Sequence, residues 1–212
     1  MPSASEDEDV AFWTYMMTFY TAEEILASDE TAKDRGMYWQ THGWGPVNGT
    51  VYAHQMYLSD GGRVSALNMF SVKGFLDWRY TACTFDSARW IDAMRDMLLT
   101  RRADGTCLAD DYRVLIIDRA SIHTSKEAMQ FIEHLRLLIE VKFIPTKCAM
   151  RRSPLDNGGY GWVVRFLQAN NIFFAHLPIE YGLDAAFRAM PESAARWCYH
   201  NCEYFFDNVD SS

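Results

Sequence analysis

The apolar run Val114-Leu-Ile-Ile117 stops abruptly at Asp118. A continuous run this short predicts a strand buried on both faces. Upstream, the β-branched and apolar content of Arg63–Val72 and Phe75–Thr84, broken at Lys73-Gly74, predicts adjacent antiparallel strands. Glu24–Asp29 reads as a short strand ending in polar residues, and Glu140–Ile144 as another, stopped by Pro145. Between these lie helical patterns. Asp86 can cap a helix running to about Thr100 with Ala88, Ile91, Met94 and Leu98 on one face. Thr124-Ser-Lys-Glu127 has the form of a capping box and opens a helix to about Leu138. Gly158–Gln168, Asp184–Met190 and Ser193–Phe206 are expected to be helices, and the aromatic Val10–Tyr20 can pack as one. Asp34–Thr50, with four glycines among its aromatics, reads as loop or hairpin. Three β segments, helix, β, helix, β and closing helices predict an α/β fold: a mixed sheet with helices on its faces. Sites in such sheets gather at strand ends near the switch in strand order.

With 212 residues, the chain is long enough for one sizeable core and too short for two large domains. No apolar run approaches the ~18 residues of a membrane span, and the acidic Met1–Asp9 lacks the basic and apolar regions of a secretory signal. Five irregularly spaced cysteines fit a reduced, intracellular protein: nuclear in a eukaryote, cytoplasmic in a bacterium. The net charge of −8 is unevenly spread. Residues 1–30 hold eight acids and no Lys or Arg, so residues 1–10 read as a solvated acidic tail. Tyr112–Asn170 holds nine bases against five acids, which permits a phosphate-binding face.

Three carboxylates carry the candidate chemistry. Asp29 and Asp118 each follow an apolar strand, and Asp156 lies in Ser153-Pro-Leu-Asp-Asn157 ahead of a helix. Neighbouring strands lie about 4.8 Å apart, so two such aspartates can share an ion and a third can complete an oxygen cage. Clustered buried carboxylates repel unless a cation offsets them. Mg²⁺, for which Mn²⁺ substitutes, suits oxygen ligands and keeps waters of its own, and a pair of such ions supports phosphodiester cleavage.

The words around these residues add a family. Ser28-Asp-Glu-Thr31, Thr41-His-Gly-Trp-Gly-Pro46, Val114-Leu-Ile-Ile-Asp-Arg-Ala-Ser-Ile-His123, Phe143-Ile-Pro145 and Ser153-Pro-Leu-Asp156 occur in that order. The set resembles the catalytic domain of mariner-like transposases and their insertion-sequence relatives, the DDE endonucleases with a ribonuclease-H-like fold. The resemblance implies three antiparallel strands followed by parallel ones. It also implies a metal triad of Asp29, Asp118 and Asp156, cleavage and strand transfer of DNA at transposon ends and target, and a homodimer. It covers residues 21–206, leaving 1–20 as an acidic and aromatic segment and 207–212 as a short acidic tail.

Departures from the family are specific. Arg119 stands where Asn is usual, and can pair with the metal aspartate or hold a DNA phosphate. Ser153 replaces the Asn of the third word. Pro145-Thr-Lys-Cys-Ala-Met-Arg-Arg152 has gained bases and lost prolines; Glu140 and Glu180 are the alternatives should Asp156 not face the ion. About 20 residues precede the first strand, against the helix-turn-helix domains usual in the family: either the chain is a fragment, or a separate DNA-binding domain or subunit supplies end recognition, or the domain has been recruited to another task. The alternative is a transposase-derived domain that kept the fold, lost catalysis and binds nucleic acid or protein; a further one is a related nuclease acting on RNA or hybrids.

Around the triad, His42, Trp44, Arg119, His123, Lys147, Arg151 and Arg152 are candidate nucleic-acid contacts. Packing, a helix-start hydrogen bond and a solvated basic loop are the plainer readings of Trp44, His123 and the 147–152 bases. Cys198 and Cys202 would share a helix face, but no zinc set is evident around them. Gly158-Gly159-Tyr-Gly161 lacks the Lys-Ser/Thr of a nucleotide loop and reads as a tight turn beside Asp156.

Overall fold

The computed structural model describes residues 4–38, 63–174 and 176–207. Five strands form one mixed sheet in the order β3-β2-β1-β4-β5: β1 (Ile25–Lys33), β2 (Val64–Ser71), β3 (Gly74–Thr81), β4 (Val114–Ile117) and β5 (Glu140–Phe143). β1 and β3 each pair antiparallel with β2, whereas β4 runs parallel to both β1 and β5. The antiparallel-then-parallel sheet is the one expected.

Helices cover both faces because the strands present apolar side chains on both. Ile25 and Ala27 of β1, with Ala66 and Phe70 of β2, face one core shared with α1 (Ala4–Phe19), α5 (Tyr160–Ala169), α7 (Ile179–Ala189) and α8 (Glu192–Asn201). Leu26, with Leu67 and Met69, faces the other, closed by α2 (Ser87–Leu99) and α3 (Lys126–Leu135). Two four-residue helices, α4 (Ala149–Arg152) and α6 (Asn171–Phe174), were not expected.

Several local expectations need correcting. Residues 4–10 are helical, the first half of α1; Glu6, Asp7 and Glu8 are solvated as expected, but Asp9 is buried at 4% exposure. Charge counting misses this because the partner that offsets Asp9, Arg152, is 143 positions away. Asp86 does cap α2, accepting from the Arg89 amide, but the buried face is set by Trp90 with Ala93, Met94, Met97 and Leu98. Ala88 is exposed and Ile91 half-buried; the largest apolar side chain turns the helix. Ser125, not Thr124, caps α3 through the Ala128 amide. α7 begins at Ile179 behind Pro178, earlier than Asp184, and α8 ends at Asn201.

Candidate active site

β1 is longer than its apolar half suggested. Asp29 lies inside the strand, which continues to Lys33, but pairing with β4 stops at Ala27. From Ser28 onward β1 is no longer paired with β4, and the acids emerge there. Successive strand residues point to opposite faces, and β1 uses this. Ser28 reaches the α2 layer, with its hydroxyl 3.6 Å from the Met94 sulfur. Asp29 points to the α5 layer, and Glu30 points back to the α2–α3 layer.

On the α5 side, Tyr160 donates from its hydroxyl to the Asp29 carbonyl at 2.9 Å. The same hydroxyl accepts from Nδ2 of Asn68 at 3.3 Å. Asn68 is the β2 residue directly opposite Asp29. These bonds fix α5, and with it the turn carrying Asp156, against the strand carrying the first acid.

That turn, Leu155–Gly159, is wound more widely than an α-helix and is broken at Gly158 (φ 147°, ψ −40°). Asn157 donates to the Asn201 carbonyl at 3.2 Å and to the Cys202 sulfur at 3.6 Å, tying the turn to α8. A β-carbon at Gly158 would stand 2.8 Å from the Cys198 sulfur. Cys198 and Cys202 are thus packing partners of this turn.

On the other side His123, 1% exposed, joins the second acid to Glu30. Its Nδ1 is 2.7 Å from an Asp118 carboxylate oxygen, and its Nε2 is 2.8 Å from Glu30 Oε1. Trp90 packs on the imidazole, with ring centroids 4.7 Å apart. The Ala120 amide also donates to Asp118, at 3.1 Å.

The electrostatics divide the acids. Burial, then the charges of Asp156, Glu30 and Asp118, push the Asp29 carboxyl up to about 8. Burial and Asp118 raise Asp156 as well. Burial opposes ionisation of Asp118 too, but His123 and the Ala120 amide outweigh it and hold this carboxyl below its usual range. His123 would lose its proton on burial alone; its two carboxylate partners lift it instead to about 10.

The structure therefore brings Asp29, Asp118 and Asp156 within electrostatic reach of one another, with His123 as the imidazolium between Asp118 and Glu30. Among the described residues, no three His, Cys, Asp or Glu side chains are drawn together tightly enough to coordinate one ion as they stand. The donor set nonetheless fits a hard divalent cation. It consists of carboxylate oxygens, and at Asp29 and Asp156 burial and the charge of neighbouring acids oppose ionisation, a penalty a cation would relieve.

Other sequence candidates fall differently. His42 and Trp44 lie outside the described residues. Glu140 accepts from Tyr15 and Tyr20 and pairs with Lys142 at the far end of β5, and Glu180 sits in the first turn of α7; neither shifts Asp29. Arg119 does not pair with Asp118. It is exposed and lines an open cleft of about 630 Å³ with Arg136, Glu140 and Lys142. Lys147 is exposed, with a left-handed backbone (φ 70°). Arg151 is exposed and leans on Asp9 and Glu203. Arg152 is corrected outright: at 2% exposure, with both Asp9 carboxylate oxygens within 2.8 Å and Glu203 at 2.8 Å, it is a buried structural cation with no access to a phosphate.

Sequence reasoning gave no role to Glu30 or Asn68. Both left a signal: Glu30 is the opposite-parity neighbour of a strand aspartate, and Asn68 is the one amide in the apolar run Val64–Phe70.

Comparison with known proteins gives the fold and sequence pattern a family. The family described as DDE superfamily endonuclease matches residues 24–149, a span that includes Asp29 and Asp118 and ends before Asp156. The catalytic domain of Mos1 mariner transposase superposes with a TM-score of 0.61 at 13% identity, covering 94% of this chain and 88% of that one. The same catalytic domain solved with raltegravir and Mn gives 0.63 at 14% identity, covering 94% and 89%. A pre-cleavage Mos1 transpososome gives 0.65 at 12% identity, covering 94% of this chain and 59% of that one. The chain spans 57–59% of the length of the transposase chains in this and two paired-end complexes. No curated protein sequence matches. With more than half of its length inside the family match and a ribonuclease-H-like sheet carrying the matched aspartates, the chain belongs to the DDE superfamily of endonucleases.

Proposed function

We propose that this domain binds Mg²⁺, or Mn²⁺ in its place, through Asp29, Asp118 and Asp156, and cleaves and rejoins DNA phosphodiester bonds as the catalytic part of a mariner-like transposase. The observation that carries the reading is the cluster of acids itself: two half-buried carboxylates, Asp29 and Asp156, whose ionisation is held back by burial and by neighbouring acids, beside a third kept ionised by His123 and the Ala120 amide. A bound divalent pair supplies an activated water or DNA 3′-hydroxyl and stabilises the leaving oxygen. The chain's own residues do the rest. His123 keeps Asp118 ionised and oriented, Tyr160 sets the approach of the third acid to the first, and Arg119, Lys147 and Arg151 offer cations to the DNA backbone. Transposon-end recognition by a separate domain or subunit, and pairing of two copies, belong to the same proposal. Structures of the Mos1 transposase with transposon-end DNA and with Mg or Mn support it.

A second reading, a domain that kept the fold without catalysis, draws on the engagement of Asp118 with His123 and on the absence of a closed three-ligand group among the described residues. Calorimetric Mn²⁺ titration of the wild type and of Asp118→Asn separates the two. Binding that disappears in the folded variant, together with Mg²⁺-dependent nicking of duplex DNA by the wild type, is expected. A folded wild type that takes up no Mn²⁺ overturns the catalytic reading.

A further inference from the structure

One buried acceptor beside the first acid has no donor among the described residues. Asn68 is wholly buried on β2, directly across from Asp29, and directly opposite strand residues share a face. Its neighbours on that face, Ala66 and Phe70, are apolar core. An amide here is not what packing alone would select.

The orientation of this amide follows from counting protons. The Tyr160 hydroxyl has one proton and gives it to the Asp29 carbonyl. It can only accept from Asn68, so the NH₂ group faces it. The same nitrogen lies 3.3 Å from the Ala66 carbonyl. Both donor sites are thereby used, and Oδ1 remains buried with no hydrogen-bond partner among the described residues. A buried carbonyl left without a donor destabilises the fold, so its retention beside a functional carboxylate points to a donor that arrives with a ligand.

The chemistry of the site says which ligand. Mg²⁺ and Mn²⁺ at carboxylate sites keep several waters, and each water has protons that need acceptors. Ionised carboxylates would serve as ligands; a neutral carbonyl oxygen set next to them can take a water proton without adding to the repulsion among the acids. We propose that Asn68 Oδ1 belongs to the cation site, accepting a hydrogen bond from a water in the hydration shell of the divalent ion held at Asp29. This rests on the metal-binding reading given above.

The test is Mn²⁺ calorimetry on the whole 212-residue chain, with thermal denaturation of the metal-free protein alongside. Asn68→Leu removes the acceptor at similar size, and outer partners of metal sites typically contribute about tenfold or more to affinity. The expected result is Mn²⁺ binding weakened by about that factor. Asn68→Ala, which removes the acceptor without adding bulk or charge, is expected to weaken Mn²⁺ binding by a similar factor and to show a smaller rise in melting temperature on Mn²⁺ addition than the wild type does. Should the leucine variant fail to fold, the alanine variant decides: Mn²⁺ binding equal to wild type overturns the proposal. A folded Asn68→Leu whose isotherm superimposes on the wild type overturns it as well, while leaving the triad intact if Asp118→Asn still abolishes binding. A wild type that binds no Mn²⁺ overturns both.

Discussion

Gly158→Ala isolates the geometry that presents the third acid. Two costs follow from the structure. The backbone at φ 147°, ψ −40° lies where a side chain is strained, at about 1–3 kcal/mol for such a conformation. The new β-carbon also meets Cys198 Sγ at 2.8 Å and Trp197 Cζ3 at 3.0 Å, and overpacking of this kind costs about 1–3 kcal/mol. The two contacts are unequal. Trp197 is half-exposed and can swing outward, whereas Cys198 is buried at 1% and cannot, so the sulfur supplies most of the steric part. A loss of about 2–6 kcal/mol is therefore expected, a large share of the ~5–15 kcal/mol that holds a typical domain together. Urea denaturation followed by tryptophan fluorescence measures it. Cys198→Ala in the same chain should return the steric part but not the backbone part. The double variant should then be at least about 1 kcal/mol more stable than the sum of the single changes, as coupled neighbours are. Because Asp156 lies two residues before Gly158, Mn²⁺ affinity should fall in the single variant and recover partly in the double. A Gly158→Ala protein within about 0.5 kcal/mol of wild type, or strict additivity with Cys198→Ala, would refute this account of the turn.

Other outcomes follow from the same structure. Arg152→Met leaves buried Asp9 with only the exposed Arg151, at 3.2 Å, as a cation, and breaking a buried pair by removing one partner costs about 3–5 kcal/mol, here at the lower end; a denaturation midpoint equal to wild type would show that α1 is not anchored there. The Arg152 hydrogen bond holds Asp9 below its usual range, so this contribution is present above pH about 4 and fades as acid protonates Asp9, an effect absent from Asp9→Asn. Asp29 behaves oppositely. Its folded carboxyl is pushed up to about 8, so the metal-free protein should lose stability as pH rises from about 4 to about 8, and His123, lifted to about 10, should extend the loss to about pH 10; Asp29→Asn should flatten the slope below about pH 6, and a wild-type slope of the other sign there would contradict the raised-acid reading. His123→Leu removes the cation between Asp118 and Glu30. It should weaken Mn²⁺ binding and lower DNA-cleavage kcat more than it raises KM; unchanged kcat in a folded variant would reduce His123 to packing.

Much of this was legible in the chain, for identifiable reasons. Val114–Ile117 has no polar residue to dilute it, and Asp118 marks its end, so β4 and the second acid were readable together. Asp86 and Lys73-Gly74 are local signals with local consequences, and they placed α2 and the β2–β3 turn. What escaped was non-local. Asp9 and Arg152 each looked solvent-facing because the partner that makes either burial affordable lies on the other side of the chain's length. Asp29-Glu30 looked like a strand end because two adjacent acids resemble turn chemistry; only β2 on one side and the vacated β4 edge on the other allow a strand to continue through them. The residues that complete the site, Glu30 and Asn68, depend on strand parity and cross-strand register, neither of which a linear pattern displays.

The imidazole of His123 has a wider implication. It reaches from Asp118, at the open end of the sheet, to Glu30 and Trp90 in the layer behind it. The rear wall of the domain is consequently in mechanical conversation with the acids in front. Drift among the packing residues of α2 would register as drift in chemistry, and a small molecule wedged behind the sheet could silence the site without ever entering it.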